Sequence, residues 1–322
     1  MRDRFGREVD YLRLSVTEGC NMRCIYCRPG TMGTGHSVSQ TGTPSDLSPS
    51  SQGGDGRIGS HPSAERCIEI VEAAAQLGIR KVRITGGEPC VRTDLPEIAR
   101  GIAAVPGIEE VCLTTNGTLI APMAAALKAA DLARVNVSID SLDQDRYREI
   151  TRGGSLAAAL EGLDALAAAG FEGTKVNCVL MPGINDDEVE GFGAFAAERG
   201  IGVRFIELMP IGPARELNPY QQSLPLSSLS PIAGIPAKGN RPQLQVIAPI
   251  SAPFCSQCNR IRVTADEQAK PCLHSREELS LRGLSGDELV EALRAAILAK
   301  PAGHNLASGA SESARDMSRI GG

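Results

Sequence analysis

The chain has no tryptophan, and aromatic residues make up only 3% of its 322 positions. Its core must therefore rest on Ala, Val, Ile and Leu. Long apolar runs are also missing: nothing approaches the roughly 18 consecutive apolar residues that a membrane-spanning helix requires. The opening MRDRFGREVDYLRLSV has no apolar segment of the kind that directs secretion. Both absences point away from membranes and toward a cytoplasmic protein. An excess of positive charge is lacking too, with 33 Lys and Arg against 38 Asp and Glu and a net charge of -5. That balance excludes a general nucleic-acid surface, so a polyanionic ligand would have to meet a local basic cluster. No internal repeat stands out at periods of 20 to 50 residues.

What is present is a regular alternation. Short β-branched runs at 11–16, 81–85, 111–115, 134–139, 175–180 and 203–208 are separated by Ala/Leu/Glu-rich runs at helical spacing, around 64–77, 95–105, 123–130, 156–169 and 187–199. Such alternation predicts parallel βαβ units. Six units are too few for a closed eight-stranded barrel and predict an α/β fold built as a partial (β/α)6 TIM-like barrel. Its chemistry is expected at the carboxyl ends of the strands. Residues 30–62 are crowded with Gly, Ser, Thr and Pro and read as a flexible inserted loop. Residues 213–253 carry little pattern beyond an apolar run at 244–250. The expected organisation is a barrel over 1–212, then a linker and a small C-terminal domain over 213–322 with a helix at about 277–298.

At this length no disulfide staples are needed, and in a reducing compartment clustered cysteines are better read as metal ligands. Of ten cysteines, Cys67, Cys90, Cys112 and Cys178 stand singly in apolar runs, as buried packing residues do. Cys20, Cys24 and Cys27 form C-x3-C-x2-C in EGCNMRCIYC. Three thiolates fill three corners of a [4Fe-4S] cubane and leave one iron open for a cofactor or substrate. At the end of the next strand, RITGGEP offers paired glycines for close backbone approach and Glu88 as an acceptor for a cationic amino group. Cys255, Cys258 and Cys272 form C-x2-C-x13-C, with Arg260 and Arg262 just after the second cysteine. Spacing leaves two readings for this trio: a second three-cysteine cluster, or a zinc site completed by His274.

The C-x3-C-x2-C trio followed by GGEP resembles the radical S-adenosylmethionine (SAM) superfamily. FGREVDYLRLSVTEGCNMRCIYC, KVRITGGEPCVRTDL, LTTNGTLIA, VNVSIDSLD, ITRGG, GINDDE, VRFIELMPIG, FCSQCNRIRVTAD, KPAGHN and the closing MSRIGG resemble the GTP 3′,8-cyclase family of molybdenum cofactor biosynthesis. The likeness implies a radical SAM barrel with a small C-terminal iron-sulfur domain, two [4Fe-4S] clusters and SAM. It implies a SAM pocket lined by Tyr26, Gly87, Ser138 and Met209. GTP contacts are implied from Arg13, Arg83, Thr114 and Lys175, with Arg260 and Arg262 reaching in from the second trio, whose cluster would hold the guanine. A double-glycine tail behind Arg319 would reach into the site. As partners the resemblance implies GTP, an electron donor such as a flavodoxin or ferredoxin, and cyclic pyranopterin monophosphate synthase as recipient of the product; it allows a homodimer. Arg13, Lys81, Arg83, Lys175 and Arg204 all fall in strands, where basic residues on an acidic protein call for an anionic partner, and Lys81 and Arg204 are further phosphate candidates. Another reading is a two-cluster radical SAM enzyme acting on a peptide, although such enzymes usually carry more cysteines in their extension; a non-catalytic zinc module is a third.

Overall fold

A computed structural model of the chain describes residues 1–29, 61–217, 244–304, 306 and 311–321. Residues 30–60 of the loop expected at 30–62 and most of the irregular stretch at 213–253 thus lie outside the described residues, as does Gly322.

Six parallel strands appear where the β-branched runs stand: β1 (Tyr11–Ser15), β2 (Lys81–Thr85), β3 (Glu110–Thr115), β4 (Arg134–Ser138), β5 (Lys175–Leu180) and β6 (Gly202–Glu207). They pair in chain order, the outcome of right-handed βαβ connections. Helices α1 (Ala64–Gln76), α2 (Leu95–Ala103), α3 (Ala124–Lys128), α4 (Gln144–Thr151), α5 (Leu156–Ala168) and α6 (Val189–Arg199) make the crossovers. Two strands from the C-terminal third extend both edges: β7 (Leu244–Ile247) pairs parallel with β6, and β8 (Arg260–Val263) pairs parallel with β1. Strands β9 (Gln268–Lys270) and β10 (Leu279–Ser280) continue antiparallel beyond β8, giving one ten-stranded sheet. The C-terminal cysteine segment is therefore joined to the barrel through the same hydrogen-bonded sheet. Among the described residues β7 and β8 do not pair with each other, so the barrel stays open.

The outer face is aliphatic, as the composition demands. Leu12, Leu14, Val82 and Ile84 are fully buried beneath α1, whose Cys67, Ile70, Val71 and Ala74 follow helical spacing. Ser63 caps α1 by accepting a hydrogen bond from the Arg66 amide. Cys67, Cys90, Cys112 and Cys178 are buried, as their apolar neighbourhoods suggested.

Two elements differ from expectation. Helix α4 was not foreseen, because QDRYREIT is polar nearly throughout; it is fixed by Asp143, which accepts from the Arg146 amide, and by burial of Tyr147, Ile150 and Thr151 on one face. The helix expected from 277 begins only at Gly286, as α8 (Gly286–Leu298). Upstream of it Leu279–Ser280 pairs with β9, and Gly283 and Gly286 adopt positive φ, breaking any continuous helix. Between β6 and β7 stands the short α7 (Ala214–Leu217), and α9 (Met317–Ile320) forms a single turn near the chain's end. Among the described residues no helix is long and apolar enough to cross a membrane.

Candidate active site

Because side chains alternate along a strand, one face of this sheet points inward. Tyr11 and Arg13 of β1, Lys81 and Arg83 of β2, Thr114 of β3, Asn136 and Ser138 of β4, Lys175 and Asn177 of β5, Arg204 of β6, and Arg260 and Arg262 of β8 all line a single cavity of about 880 Å³. Both cysteine trios line it as well. Every residue singled out above as a cluster, SAM or GTP contact is thereby brought to one place.

Strand register arranges the cations. Arg13 stands opposite Arg83 on one side and Arg262 on the other, so three guanidinium groups occupy one rung. On the adjacent rung Tyr11 lies between Lys81 and Arg260, whose cationic groups sit 5.2 and 5.9 Å from its ring centre. Like charges directly opposite one another repel. Burial and the neighbouring Arg262 drive the Arg13 pKa well down, and burial with Arg260 brings Arg262 to about 10. A polyanion in the cavity relieves this repulsion. Arg83 is held by donating to Tyr11 Oη at 2.6 Å, the Leu113 carbonyl at 2.9 Å and Thr114 Oγ1 at 3.3 Å. Two of the sequence-based phosphate candidates are otherwise engaged: Lys81 pairs with Glu110 at 2.5 Å, and Arg204 donates to Gln245 Oε1 at 2.9 Å. The Lys81 pair follows from the register of Lys81 opposite Glu110, which periodicity within one strand does not reveal.

The first trio sits on the loop leaving β1. Gly86 and Gly87 pack their backbone against residues 17–19 of that loop: a Cβ on Gly87 would lie 2.2 Å from the Gly19 carbonyl oxygen. The glycine pair thus seats one segment of chain on another. Glu88 is also a structural clasp. Its Oε1 accepts from the Cys90 amide and Thr115 Oγ1, and Oε2 accepts from the Asn116 amide, so the carboxylate expected to receive a ligand's amino group also ties β2 to β3 while lining the cavity. The end of α4 backs the cysteine loop, with the Arg23 and Ile25 amides donating to the Thr151 and Ile150 carbonyls.

Electrostatics differ between the trios. Burial, then Asp140 and the other two cysteines, push the Cys24 thiol well above its usual range; burial and Cys20 push Cys27 to about 12. Three partly buried thiols that each resist ionisation fit a bound cation or iron-sulfur cluster, which would supply the missing positive charge. Around Cys258 burial acts upward too, but Lys300, the Arg260 amide and the Arg260 and Arg262 guanidiniums carry the thiol below its usual range. That donor set also fits a cluster. Among the described residues no three His, Cys, Asp or Glu side chains converge as a single ion would require, with Zn–S bonds of about 2.3 Å.

Several cavity residues were not anticipated. Asp140, just past β4, is buried and raised to about 6 by that burial; its Oδ2 accepts from Tyr26 Oη at 2.7 Å and Oδ1 from the Val179 amide. An acid immediately after the strand VNVSI, at the carboxyl end of a barrel, was the available signal. Tyr11, Asn177 and Lys300 also line the cavity, and Asn177 Oδ1 is buried without a partner among the described residues. The tail does enter the site: Met317 and Ser318 line the cavity, and Arg262 Nη1 donates to the Gly321 carbonyl at 2.5 Å. Arg319 turns outward to Glu18 at 3.3 Å, and the charge facing the tail comes from Arg262.

Comparison with known proteins agrees with this arrangement. The radical SAM superfamily pattern matches residues 14–196, and the Molybdenum Cofactor Synthesis C pattern matches residues 229–306. The GTP 3′,8-cyclase of Alkaliphilus oremlandii is 39% identical over 342 aligned positions, and that of Moorella thermoacetica 38% over 347, each covering 100% of both chains. In fold, the crystal structure of Streptococcus suis SuiB bound to precursor peptide SuiA is similar, with a TM-score of 0.63 and 14% identity over 97% of this chain and 76% of that one. The superfamily match spans more than half of the sequence and the relatives span all of it: the chain belongs to the radical SAM superfamily and, within it, to the GTP 3′,8-cyclase family.

Proposed function

We propose that the protein converts GTP to (8S)-3′,8-cyclo-7,8-dihydroguanosine 5′-triphosphate, the first step of molybdenum cofactor biosynthesis. One observation carries the reading furthest: a single cavity joins two cysteine trios to a rung of three arginines. Cys20, Cys24 and Cys27 hold one [4Fe-4S] cluster, and Tyr26, Gly87, Ser138 and Met209 surround SAM beside it. With SAM bound beside it, that cluster would supply one-electron chemistry, in which SAM would be cleaved to methionine and a 5′-deoxyadenosyl radical that takes the ribose 3′ hydrogen as 5′-deoxyadenosine; closure of C3′ onto guanine C8 would then need one further electron and a proton to give a product isomeric with GTP. Arg13, Arg83 and Lys175 take the triphosphate, Thr114 supports Arg83 and the nucleotide, and Arg260 and Arg262 approach from β8. Cys255, Cys258 and Cys272 hold the second cluster, against which the guanine rests. Guanidinium groups suit this task because their planar donors meet phosphate oxygens in pairs. The partial barrel over 1–212 presents the radical machinery, and residues 213–322 supply the substrate end. An electron donor such as a flavodoxin or ferredoxin serves the first cluster, and cyclic pyranopterin monophosphate synthase takes the product. The peptide-modifying alternative finds no support in a cavity so rich in arginine.

The test is an anaerobic assay of the reconstituted chain with GTP, SAM and dithionite, read by mass spectrometry. A product isomeric with GTP should accumulate with 5′-deoxyadenosine. SAM cleavage that leaves GTP unchanged would overturn the assignment.

A further inference from the structure

Lys300 lies just beyond α8 and is 3% exposed. Its ammonium donates to the Arg260 carbonyl at 2.6 Å, the Pro271 carbonyl at 3.1 Å and Cys258 Sγ at 3.8 Å. Those three bonds use all the donors a lysine has. They also join two arms of the second trio, since Arg260 follows Cys258 and Pro271 precedes Cys272. Arg7 holds the remaining arm, donating to the Cys255 carbonyl at 2.8 Å and to the Pro301 and Ala302 carbonyls beside Lys300.

The two buried cations differ in one respect. Arg7 has its own counter-charge, Asp3, at 2.6 Å. Lys300 forms no salt bridge with a carboxylate among the described residues, and the sulfur of Cys258 is the sole ionisable group within its hydrogen-bond reach. A buried charge without a counter-charge is strongly unfavourable. The negative charge in hydrogen-bond reach of this ammonium is that of the Cys258 thiolate and whatever the trio holds.

We propose that Lys300 is the counter-charge of the second iron-sulfur cluster, a positioning residue that steadies the thiolate of Cys258 and raises the cluster's reduction potential. The proposal rests on the two-cluster reading. A positive charge and a hydrogen bond to a ligating sulfur both favour the more negative, reduced state of a cluster. The first trio has no such partner: the only hydrogen bond to its sulfurs among the described residues is from the Met22 amide to Cys20.

The test is an anaerobic redox titration of the full chain, followed by electron paramagnetic resonance, for wild type, Lys300→Gln and Lys300→Arg. Iron and sulfide analysis of wild type comes first. Only enough for one cluster would end the two-cluster reading itself, independently of Lys300. With both clusters present, Lys300→Gln should lower the reduced-to-oxidised ratio of the second cluster about tenfold at a fixed solution potential, a 59 mV shift for one electron. The first cluster should not move. An unchanged second potential in Lys300→Gln would overturn the proposal. Should Lys300→Gln shed the second cluster, retention of that cluster by Lys300→Arg would support the need for charge, and equal loss from both would overturn it.

Discussion

The two cysteine trios share a cavity yet stand in opposite fields. Around the first, burial drives the thiols up, with the carboxylates of Asp140 and Glu88 adding to it at Cys24 and Cys20 and Arg28 opposing it at Cys20 and Cys27. Around the second, Lys300, Arg260 and Arg262 surround Cys258, and its thiol is driven down. The asymmetry matches the ligands proposed for each end. SAM brings a sulfonium cation and an amino group to the first trio, where acidic neighbours favour positive charge. GTP brings a polyanion to the second, where basic neighbours favour negative charge. One barrel thus sorts a cationic cofactor from an anionic substrate by the sign of the field at each end.

Breaking each trio in turn should have the largest effects and separate their roles. Cys24→Ala removes one of three thiolates that present an open iron, and 5′-deoxyadenosine formation should vanish. Cys258→Ala should retain slow SAM cleavage while losing the cyclised product, because the second trio is proposed to hold substrate and not to start the radical. Quantifying both products by liquid chromatography decides the matter. Equal loss of both activities in a Cys258→Ala protein with its first cluster intact would erase the proposed division.

The tail lies between the two fields. Gly321 adopts φ of 82°, and a Cβ there would come within 3.0 Å of Thr85 and 3.1 Å of Ser15, so only glycine threads this part of the barrel. Its carbonyl receives Arg262. The approach is fixed outside the cavity by Arg315, which pairs with both Asp266 and Glu278, and by Arg215, which donates to the Ser311 and Ser313 carbonyls. Deleting residues 321 and 322 should leave melting temperature and iron content unchanged, since few core contacts are lost. It frees a buried guanidinium from a bond of the charged class, worth about 1.5–3 kcal/mol. GTP turnover should fall roughly ten- to hundredfold. Undiminished turnover would make the tail an ordinary frayed end.

The sequence made much of this legible for a definite reason. Strands β1 to β6 are short β-branched runs bounded by polar turns, so local pattern locates them to within a residue or so. The first trio and the inward cations Arg13, Lys81, Arg83, Lys175 and Arg204 lie within such runs or close beside them. What stayed hidden depends on pairing between distant segments. RIRV reads as a tail to a cysteine motif, and only its pairing with β1, some 250 positions away, makes Arg262 a neighbour of Arg13. Lys81 and Arg83 share one face of one strand. Nothing within that strand tells that Lys81 meets Glu110 while Arg83 is aimed by Tyr11 and Thr114. The polar helix α4 and the roles of Asp140 and Lys300 are hidden in the same way, because each is defined by what it touches.

The finest test of the opposed fields acts on one cation at the basic end. Arg83 is 6% exposed and locked by three hydrogen bonds, so Arg83→Ala disturbs both the local packing and any bond to phosphate. Comparing two ligands isolates the second effect. Guanosine shares the base and ribose of GTP but lacks phosphate oxygens, so damage to the cavity wall weakens both ligands alike and cancels in their ratio. A charge-assisted bond contributes about 1.5–3 kcal/mol, equivalent to roughly a ten- to hundredfold change in affinity. Calorimetry on Arg83→Ala should therefore show GTP weakened by that additional factor relative to guanosine, with the excess shrinking as salt is raised. An equal loss for both ligands would make Arg83 a structural strut and leave the triphosphate to Arg13, Lys175, Arg260 and Arg262.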